Sequence, residues 1–426
     1  MRIFRTSCAV VAAAFAAFAI AQERKPLDPE ALVALLRAGN FTELDSRVGA
    51  YQAAYEASTD AEWDAVIVFA GFQRIERELE TRFDGWVKTR PRSYGALVAR
   101  AAYFYQRGWS SRGGGFAAET PGGRIDAMQR HFERAERDLK ASIALSPRPQ
   151  LSHRYLAAMA MTRGGPAAAR RWHEEALRAD PENYATRRAY LFALRPEWGG
   201  NAAAMQALLD QTAALPATPK LRAVVQSMKA SAIGGVALDA YRVKDYPRAL
   251  ELYAMGLGEA EDHVLLANRA LVLRELKRHD EAMRDLDRAL ALNPASPEAY
   301  ERRGNLYEIR KQYKEAVRDL SRAASYGRAY AMQRLGLLYM SGKDVPRDYG
   351  AAAKWLKLGA DLGDARAQSA LGWMYAEGAG VPMDGKQALR LWRAAAAQGN
   401  EEARKYLENL PWWWLALYST LEYFSR

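Results

Sequence analysis

Apolar residues recur three and four positions apart along nearly the whole chain, and period-two alternation bounded by turn residues is scarce. The pattern predicts helices throughout. Their ends carry chemical marks. Asp28-Pro29-Glu30 starts a helix, because Asp accepts from orphan backbone amides and Pro tolerates the first helical position. Leu32, Leu35 and Leu36 form its apolar stripe, and Gly39 stops it. A second helix is predicted over about 42–57 and a third over about 60–79. A helix carrying Leu97, Ala101 and Phe104 leads into Gln106 to Phe116, the one glycine-rich segment, and a long helix follows over about 125–145. Asp245 to Leu250 reads as the turn and second helix of a degenerate pair.

A longer period lies over the helical one. Ser142 to Pro147 matches Ala176 to Pro181 at a spacing of 34, and Ala289 to Pro294 closes a later helix in the same way. Between 263 and 328 two units align at 34. Leu266 matches Tyr300, Ala270 matches Gly304, Leu273 matches Tyr307, Ala282 matches Ala316, Leu286 matches Leu320, and Ala289 matches Ala323. The small residues let two antiparallel helices approach, while the large ones fill the space between successive pairs. This set resembles the tetratricopeptide repeat (TPR). Arg269 and Arg303 depart from that family, which more often has Leu there. Their stems are expected on the core with the charged heads in water.

From 327 the period becomes 36. Ala331 matches Ala367, Leu335-Gly336 matches Leu371-Gly372, Tyr339 matches Tyr375, and Val345-Pro346 matches Val381-Pro382. Gly342 and Gly378 are expected to end first helices in a left-handed conformation, Asp348 and Asp384 to cap second helices, and Gly336 and Gly372 to permit close contact. The pattern is similar to the Sel-one-like repeat, a TPR relative with a longer inter-helix loop. Upstream, Leu35 to Phe41, Tyr51 to Tyr55 and Arg107-Gly108-Trp109 with Arg112-Gly113 resemble an uncharacterised bacterial domain that precedes repeat arrays. That likeness implies an architecture and no chemistry.

These readings give an all-α fold: a right-handed α-solenoid of antiparallel helix pairs behind a helical N-terminal domain. The expected segments are a signal peptide (1–21), an N-terminal helical domain (22–215), a degenerate helical repeat (216–262), TPR-like repeats (263–328), Sel-one-like repeats (329–410) and an aromatic capping or docking helix (411–426). The leader is read from Arg2 and Arg5, the apolar run Cys8 to Ile20, and the small-x-small pattern Ala19-Ile20-Ala21. Cleavage after Ala21 predicts a periplasmic or secreted protein. Cys8 is the only cysteine, so the mature chain has no thiol for a disulfide or a nucleophile.

The net charge of +11 is spread along the chain without a basic tail or nucleic-acid motif, which argues against a nucleic-acid partner. No two of His131, His153, His173, His263 and His279 stand four apart as a zinc site on one helix face requires, so neither metal nor cofactor is expected. Glu76, Glu78 and Glu80, alternating with Arg74, Arg77 and Arg82, read as a solvated, salt-bridged helix face. Catalytic residues are not identified, and the chain is read as non-enzymatic. One candidate ligand or active site remains, on the long connection 106–120 with Arg107, Trp109, Arg112 and Glu119.

The expected function is a scaffold that binds a protein partner, as an extended peptide or a helix. The TPR likeness implies a concave face carrying Ala267, Leu271, Arg274, Glu301, Asn305 and Glu308. Trp412, Trp413 and Trp414 begin the aromatic end, which reads as a cap over the last repeat, a docking element, or a contact that organises a membrane surface.

Overall fold

A computed structural model describes residues 27–58, 61–113, 122–216, 218–342 and 345–410. The predicted leader, Glu119 and the aromatic end lie outside them. The described residues hold twenty α-helices and one 3-10 turn, with no strand.

The N-terminal domain opens with α1 (Pro29–Ala38) and α2 (Phe41–Ala57). As the sequence predicts, the Asp28 carboxylate accepts from the Ala31 amide at 3.1 Å, and Gly39 ends α1 at φ +72°. The single helix expected over 60–79 is instead two, α3 (Glu62–Ala70) and α4 (Glu78–Thr89). The break follows from packing. Gly71 lies so close to α1 that a Cβ there would be 2.5 Å from Pro29 Cβ. Arg74, three residues on, is 1% exposed instead of solvated. Its guanidinium bonds Glu30 and Ser325, its Nε donates to the Gly71 carbonyl at 2.8 Å, and it lies 4.0 Å over the Tyr326 ring.

Next come α5 (Tyr94–Arg112), α6 (Gly122–Ile143) and α7 (Gln150–Ala179). Helix α7 is bent at Gly164 and Gly165, ahead of Pro166, into two helical segments. The core of this domain is aromatic, with Phe69, Phe72, Phe83, Trp86, Tyr103, Phe104 and Phe132 at most 1% exposed. The chain continues through α8 (Tyr184–Ala193), α9 (Ala202–Ala213), α10 (Pro219–Arg242) and α11 (Tyr246–Glu259). Asp245 caps α11, accepting from the Arg248 amide at 3.2 Å.

Four helix pairs and a terminal helix complete the array: α12 (His263–Glu275) with α13 (His279–Leu292), α14 (Pro297–Ile309) with α15 (Tyr313–Ser325), α16 (Ala329–Ser341) with α17 (Tyr349–Asp361), α18 (Ala365–Glu377) with α19 (Gly385–Ala397), then α20 (Glu401–Glu408). The small residues act as expected: a Cβ on Gly336 would be 2.4 Å from Leu356 Cγ, and one on Gly372 would be 2.7 Å from Trp392 Nε1. Gly342 and Gly378 are left-handed at φ +63° and +67°, and the Asp348 and Asp384 side chains cap α17 and α19. In the earlier pairs lysines occupy the left-handed position just past the first helix, namely Lys244, Lys277 and Lys311 at φ between +59° and +62°. Arg269 and Arg303 do not simply extend into water. Each forms a two-pronged ion pair across its own helix pair, Arg269 with Asp285 at 2.7 and 2.7 Å and Arg303 with Asp319 at 2.6 and 3.2 Å.

The N-terminal domain folds back onto the turns that join one pair to the next. The Ile75 amide donates to Ser325 O at 3.2 Å, and Gln106 Nε2 donates to Tyr326 O at 2.6 Å. Arg124 donates to Asp361 O and Leu362 O at 2.6 and 3.1 Å. Gly327, at φ +89°, is approached by the Ser110 hydroxyl so closely that a Cβ there would be 2.6 Å away.

Candidate functional site

On the predicted concave face of 263–328, several polar side chains, Glu301 and Glu308 among them, are engaged between repeats. Arg302 Nη1 donates to Asn268 Oδ1 at 2.7 Å. Glu301 accepts from Arg328 at 2.8 and 3.0 Å, and Glu308 from Arg334 at 2.8 and 3.0 Å. Arg274 pairs with its neighbour Glu275. Ala267 is buried in the core between pairs, Leu271 is half-buried, and Asn305 is buried with its Oδ1 lacking a hydrogen-bond partner. This face therefore ties successive repeats together.

Further along the array the same register opens into a groove of about 450 Å³ across three first helices. Leu337 and Met340 of α16, Ala370 and Trp373 of α18 and Tyr406 of α20 line it, with Arg366, Glu401 and Glu402 at its edge. Tyr406 stacks on Trp392 at 5.0 Å between centroids, which fixes its ring.

A larger cleft of about 690 Å³ lies between the N-terminal domain and the inter-pair turns. Trp63 and Ile67 of α3, Trp109 of α5, Tyr155 and Met161 of α7 and Phe192 of α8 form one wall. Val264, Pro297, Tyr330 and Leu362 from the repeats form the other. Its polar members include Gln106, Arg154, Arg188, His263, Glu298, Glu301 and Arg328. Burial, reinforced by the nearby Arg188 guanidinium, holds the His263 imidazole well below its usual range, so it stays uncharged. Burial is the largest influence on the Glu298 carboxyl and would raise it, but Arg328, 3.1 Å away, its own backbone amide and Arg302 together outweigh burial and hold it below the usual carboxylate range. Arg188 is paired with Asp262 at 2.9 Å.

The connection 106–120 is shorter than its sequence suggests, because α5 runs on to Arg112. Gly108 is a contact glycine here: a Cβ on it would be 2.4 Å from Phe132 Cε1 of α6. Arg107 donates to Ile75 O at 3.1 Å and supports the domain interior. Trp109 packs edge-on against Phe132 and Trp198, with the Arg112 guanidinium 5.1 Å from its ring, and burial lowers the Arg112 pKa. Of the three described candidates on this connection, Arg107, Trp109 and Arg112, only Trp109 lines the cleft, joined there by Gln106, Ser110 and Gly113. Arg154, Arg188, Phe192, Glu298, Arg328 and Tyr330 were not legible as site residues. They come from helices far apart in sequence, and helical periodicity reports only which residues face a neighbouring helix.

No group of three or more metal-ligating side chains is found among the described residues, and no described helix is long and apolar enough to cross a membrane. Comparison with known proteins matches the Sel1 repeat at 329–364 and 365–400, the TPR repeat at 270–308, and a domain of unknown function, DUF4034, at 30–168. The chain thus carries two Sel1 repeats and a TPR repeat behind a DUF4034 domain, and its fold is an α-solenoid of the TPR and Sel1 kind. Among curated proteins it is similar to the Saccharomyces cerevisiae heat shock protein STI1, 32% identical over 87 residues, covering 18% of this chain and 15% of that one. It is also similar to human DnaJ homolog subfamily C member 7, 35% identical over 85 residues, covering 19% and 17%. The chain spans less than a fifth of the length of these relatives. Among solved structures, c5321, a protective antigen of uropathogenic Escherichia coli, aligns over 93% of both chains at 16% identity and TM-score 0.45. A Sel1 repeat protein from Oxalobacter formigenes aligns over 46% of this chain and 88% of its own at 25% identity and TM-score 0.38.

Proposed function

We propose that this chain is an exported interaction scaffold that holds a segment of a protein partner and does not itself catalyse a reaction. The groove across α16, α18 and α20 carries the reading. Three successive first helices present an apolar floor with Trp373 and Tyr406, the residue types that most often anchor interfaces, and charged side chains at the rim. A groove built this way accepts a peptide or a partner helix along the array axis. TPR and Sel1 repeats suit such a role, since each pair adds one strip to a continuous surface. Export rests on the basic, apolar and small-residue order of residues 1–21.

The test is a photo-crosslinking amino acid placed in cells at Met340 or Tyr406, with exposed Val236 on α10 as control. The expected result is an adduct of defined mass at the groove positions alone, lost in Trp373→Ala. Equal adducts at Val236, or none in the groove, would overturn the scaffold reading. A chain beginning at Gln22 in the envelope fraction supports export; an intact leader on cytosolic protein refutes it.

A further inference from the structure

We infer that the outward face of the two Sel1 pairs, on α17 and α19, docks on an anionic lipid surface, with the aromatic segment that follows α20 as its apolar companion. The inference does not rest on the scaffold groove, which no residue of α17 or α19 lines.

The exposed stripe of α17 is Gly350, Lys354, Lys357 and Asp361, and that of α19, in the same register 36 residues on, is Lys386, Arg390, Arg393 and Ala397. Five of these eight positions are cationic and one is acidic. Lys357 meets Asp361 at 4.0 Å, and Arg390 donates to the neutral Gln387. Lys354 and Lys386 have no ion-pair partner among the described residues. A face that is only solvated mixes its signs, as the equivalent positions of α13 do with Asp280, Arg284 and Asp287. The first helices α18 and α20 together carry three cations and four carboxylates. These repeats are therefore polarised, with the excess positive charge on their outer helices. The cations occupy about 10 Å of each of two helices whose axes pack ~8–10 Å apart, close to the Debye length of about 8–10 Å, so they act on an anionic surface together.

No large hydrophobic side chain is exposed on α17 or α19. The stripe thus gives a protein partner no apolar anchor and a nucleic acid no ring on which to stack a base. An anionic lipid surface needs neither. It needs diffuse positive charge, and firm attachment adds a second, apolar contact. The sequence supplies one directly after Leu410, in a segment outside the described residues. Trp412, Trp413, Trp414, Tyr418, Tyr423 and Phe424 are side chains of the kind that gather at membrane interfaces, and Glu422 and Arg426 are the segment's only charges. Alone, that segment has too little positive charge to select anionic lipid. Helix α20, which leads into it, is held to α19 by Tyr406 stacked on Trp392 at 5.0 Å between centroids. The aromatic segment therefore leaves from the helix next to the cations that it lacks.

The experiment sediments the chain from Gln22 to Arg426 with phosphatidylcholine vesicles, with and without one-third phosphatidylglycerol. Binding is expected on the anionic vesicles alone, weakening as salt rises. Lys354→Gln with Lys386→Gln removes the two unpaired cations, and each should weaken partitioning about fivefold, about 25-fold together. Lys88→Gln with Arg92→Gln, an equal charge loss at exposed positions of the N-terminal domain, should leave it nearly unchanged. Deleting 411–426 should weaken binding and keep its salt dependence. If the deletion lowers the helical melt, Trp412→Ser with Trp413→Ser takes its place. Trp373→Ala should leave vesicle binding intact while it removes the groove adduct, so this inference and the scaffold reading fail separately. The proposal is overturned by equal binding to neutral vesicles, by an equal loss in the Lys88 and Arg92 pair, or by no loss without the aromatic residues. Displacement by millimolar glycerol 3-phosphate would replace the lipid surface with a soluble phosphate ester, and tighter binding to duplex DNA than to vesicles would replace it with a nucleic acid.

Discussion

Asp319→Ala is expected to destabilise the array by about 3 kcal/mol, the lower end of the roughly 3–5 kcal/mol cost of orphaning one member of a buried pair. The Asp319 side chain is 1% exposed and receives Arg303 through Nε at 2.6 Å and Nη2 at 3.2 Å. Arg303 is 16% exposed and also reaches Asp287 at 2.8 Å, so part of its charge stays compensated when Asp319 is lost. Arg303→Leu, which installs the residue type the TPR family favours, should cost a similar amount, because Asp319 would keep only Arg318 at 3.4 Å. The double substitution removes both charges and leaves no buried orphan, so it should be milder than the sum by at least about 1 kcal/mol. Urea unfolding followed at 222 nm gives the four corners of the cycle. Hydrogen exchange of peptides from 297–325 shows whether the loss is local to α14 and α15, since an array can unfold in parts. Additivity within about 0.5 kcal/mol would refute the reasoning. The Arg269–Asp285 pair one repeat earlier is an internal replicate, with a smaller coupling expected from its greater exposure of 27% and 10%.

Lys277→Gly and Lys311→Gly relieve a left-handed backbone that a side chain disfavours; each should raise the urea midpoint by an amount worth about 0.5 kcal/mol, and a fall in both would contradict the assignment. Gly336→Ala drives a methyl to 2.4 Å from Leu356 and should cost about 1–3 kcal/mol, whereas Gly258→Ala, within α11 and open to space, should stabilise by about 0.5–1 kcal/mol; equal signs in thermal melts would refute this reading of the packing. Burial, with Arg187 nearby, lowers the buried His173 imidazole to about 4. The unfolded chain therefore takes up that proton first as the pH falls, and the stabilisation present above about pH 6.5 is lost progressively toward pH 4, by at most about 3 kcal/mol. His173→Phe, which keeps a ring against Tyr190, should flatten that part of the stability–pH curve, and an unchanged slope would show that the imidazole stays neutral in neither state or both.

The repeat architecture was legible because its determinants are local. A helix pair writes its own contacts into about 34 residues: Ala270 and Gly304 where helices touch, Gly342 and Gly378 where the chain reverses, Asp348 and Asp384 where it restarts. Two local features were misread for one reason, that residue type alone does not report which surface approaches. Gly108 reads as loop and is a helix contact, and Arg74 reads as solvated and is nearly sealed from water. The lysines at the left-handed positions escaped notice because they lack the glycine that usually marks them. Of the cleft, only the edge at Gln106 to Gly113, with Trp109, was legible. Its walls meet only because turns near 295, 327 and 362 receive the N-terminal helices, and no periodicity records such a meeting.

In an array whose units touch only their neighbours, folding can begin anywhere and no contact waits long for its partner. Here Gln106 and Arg74 wait for residues 220 and 251 positions ahead of them. Relative to a 34-residue repeat contact, closing the longer loop is about three doublings in length, or ~1.8 kcal/mol of extra chain entropy. At about 5–20 residues per second, a ribosome needs roughly 10–50 s to make the intervening chain. Throughout that interval the Arg74 guanidinium and the Ile67 face of α3 have no repeat turn against them. The docking that shapes the cleft thus waits for turns made long after the N-terminal helices, and it closes a chain that its neighbour-to-neighbour repeats alone would leave open.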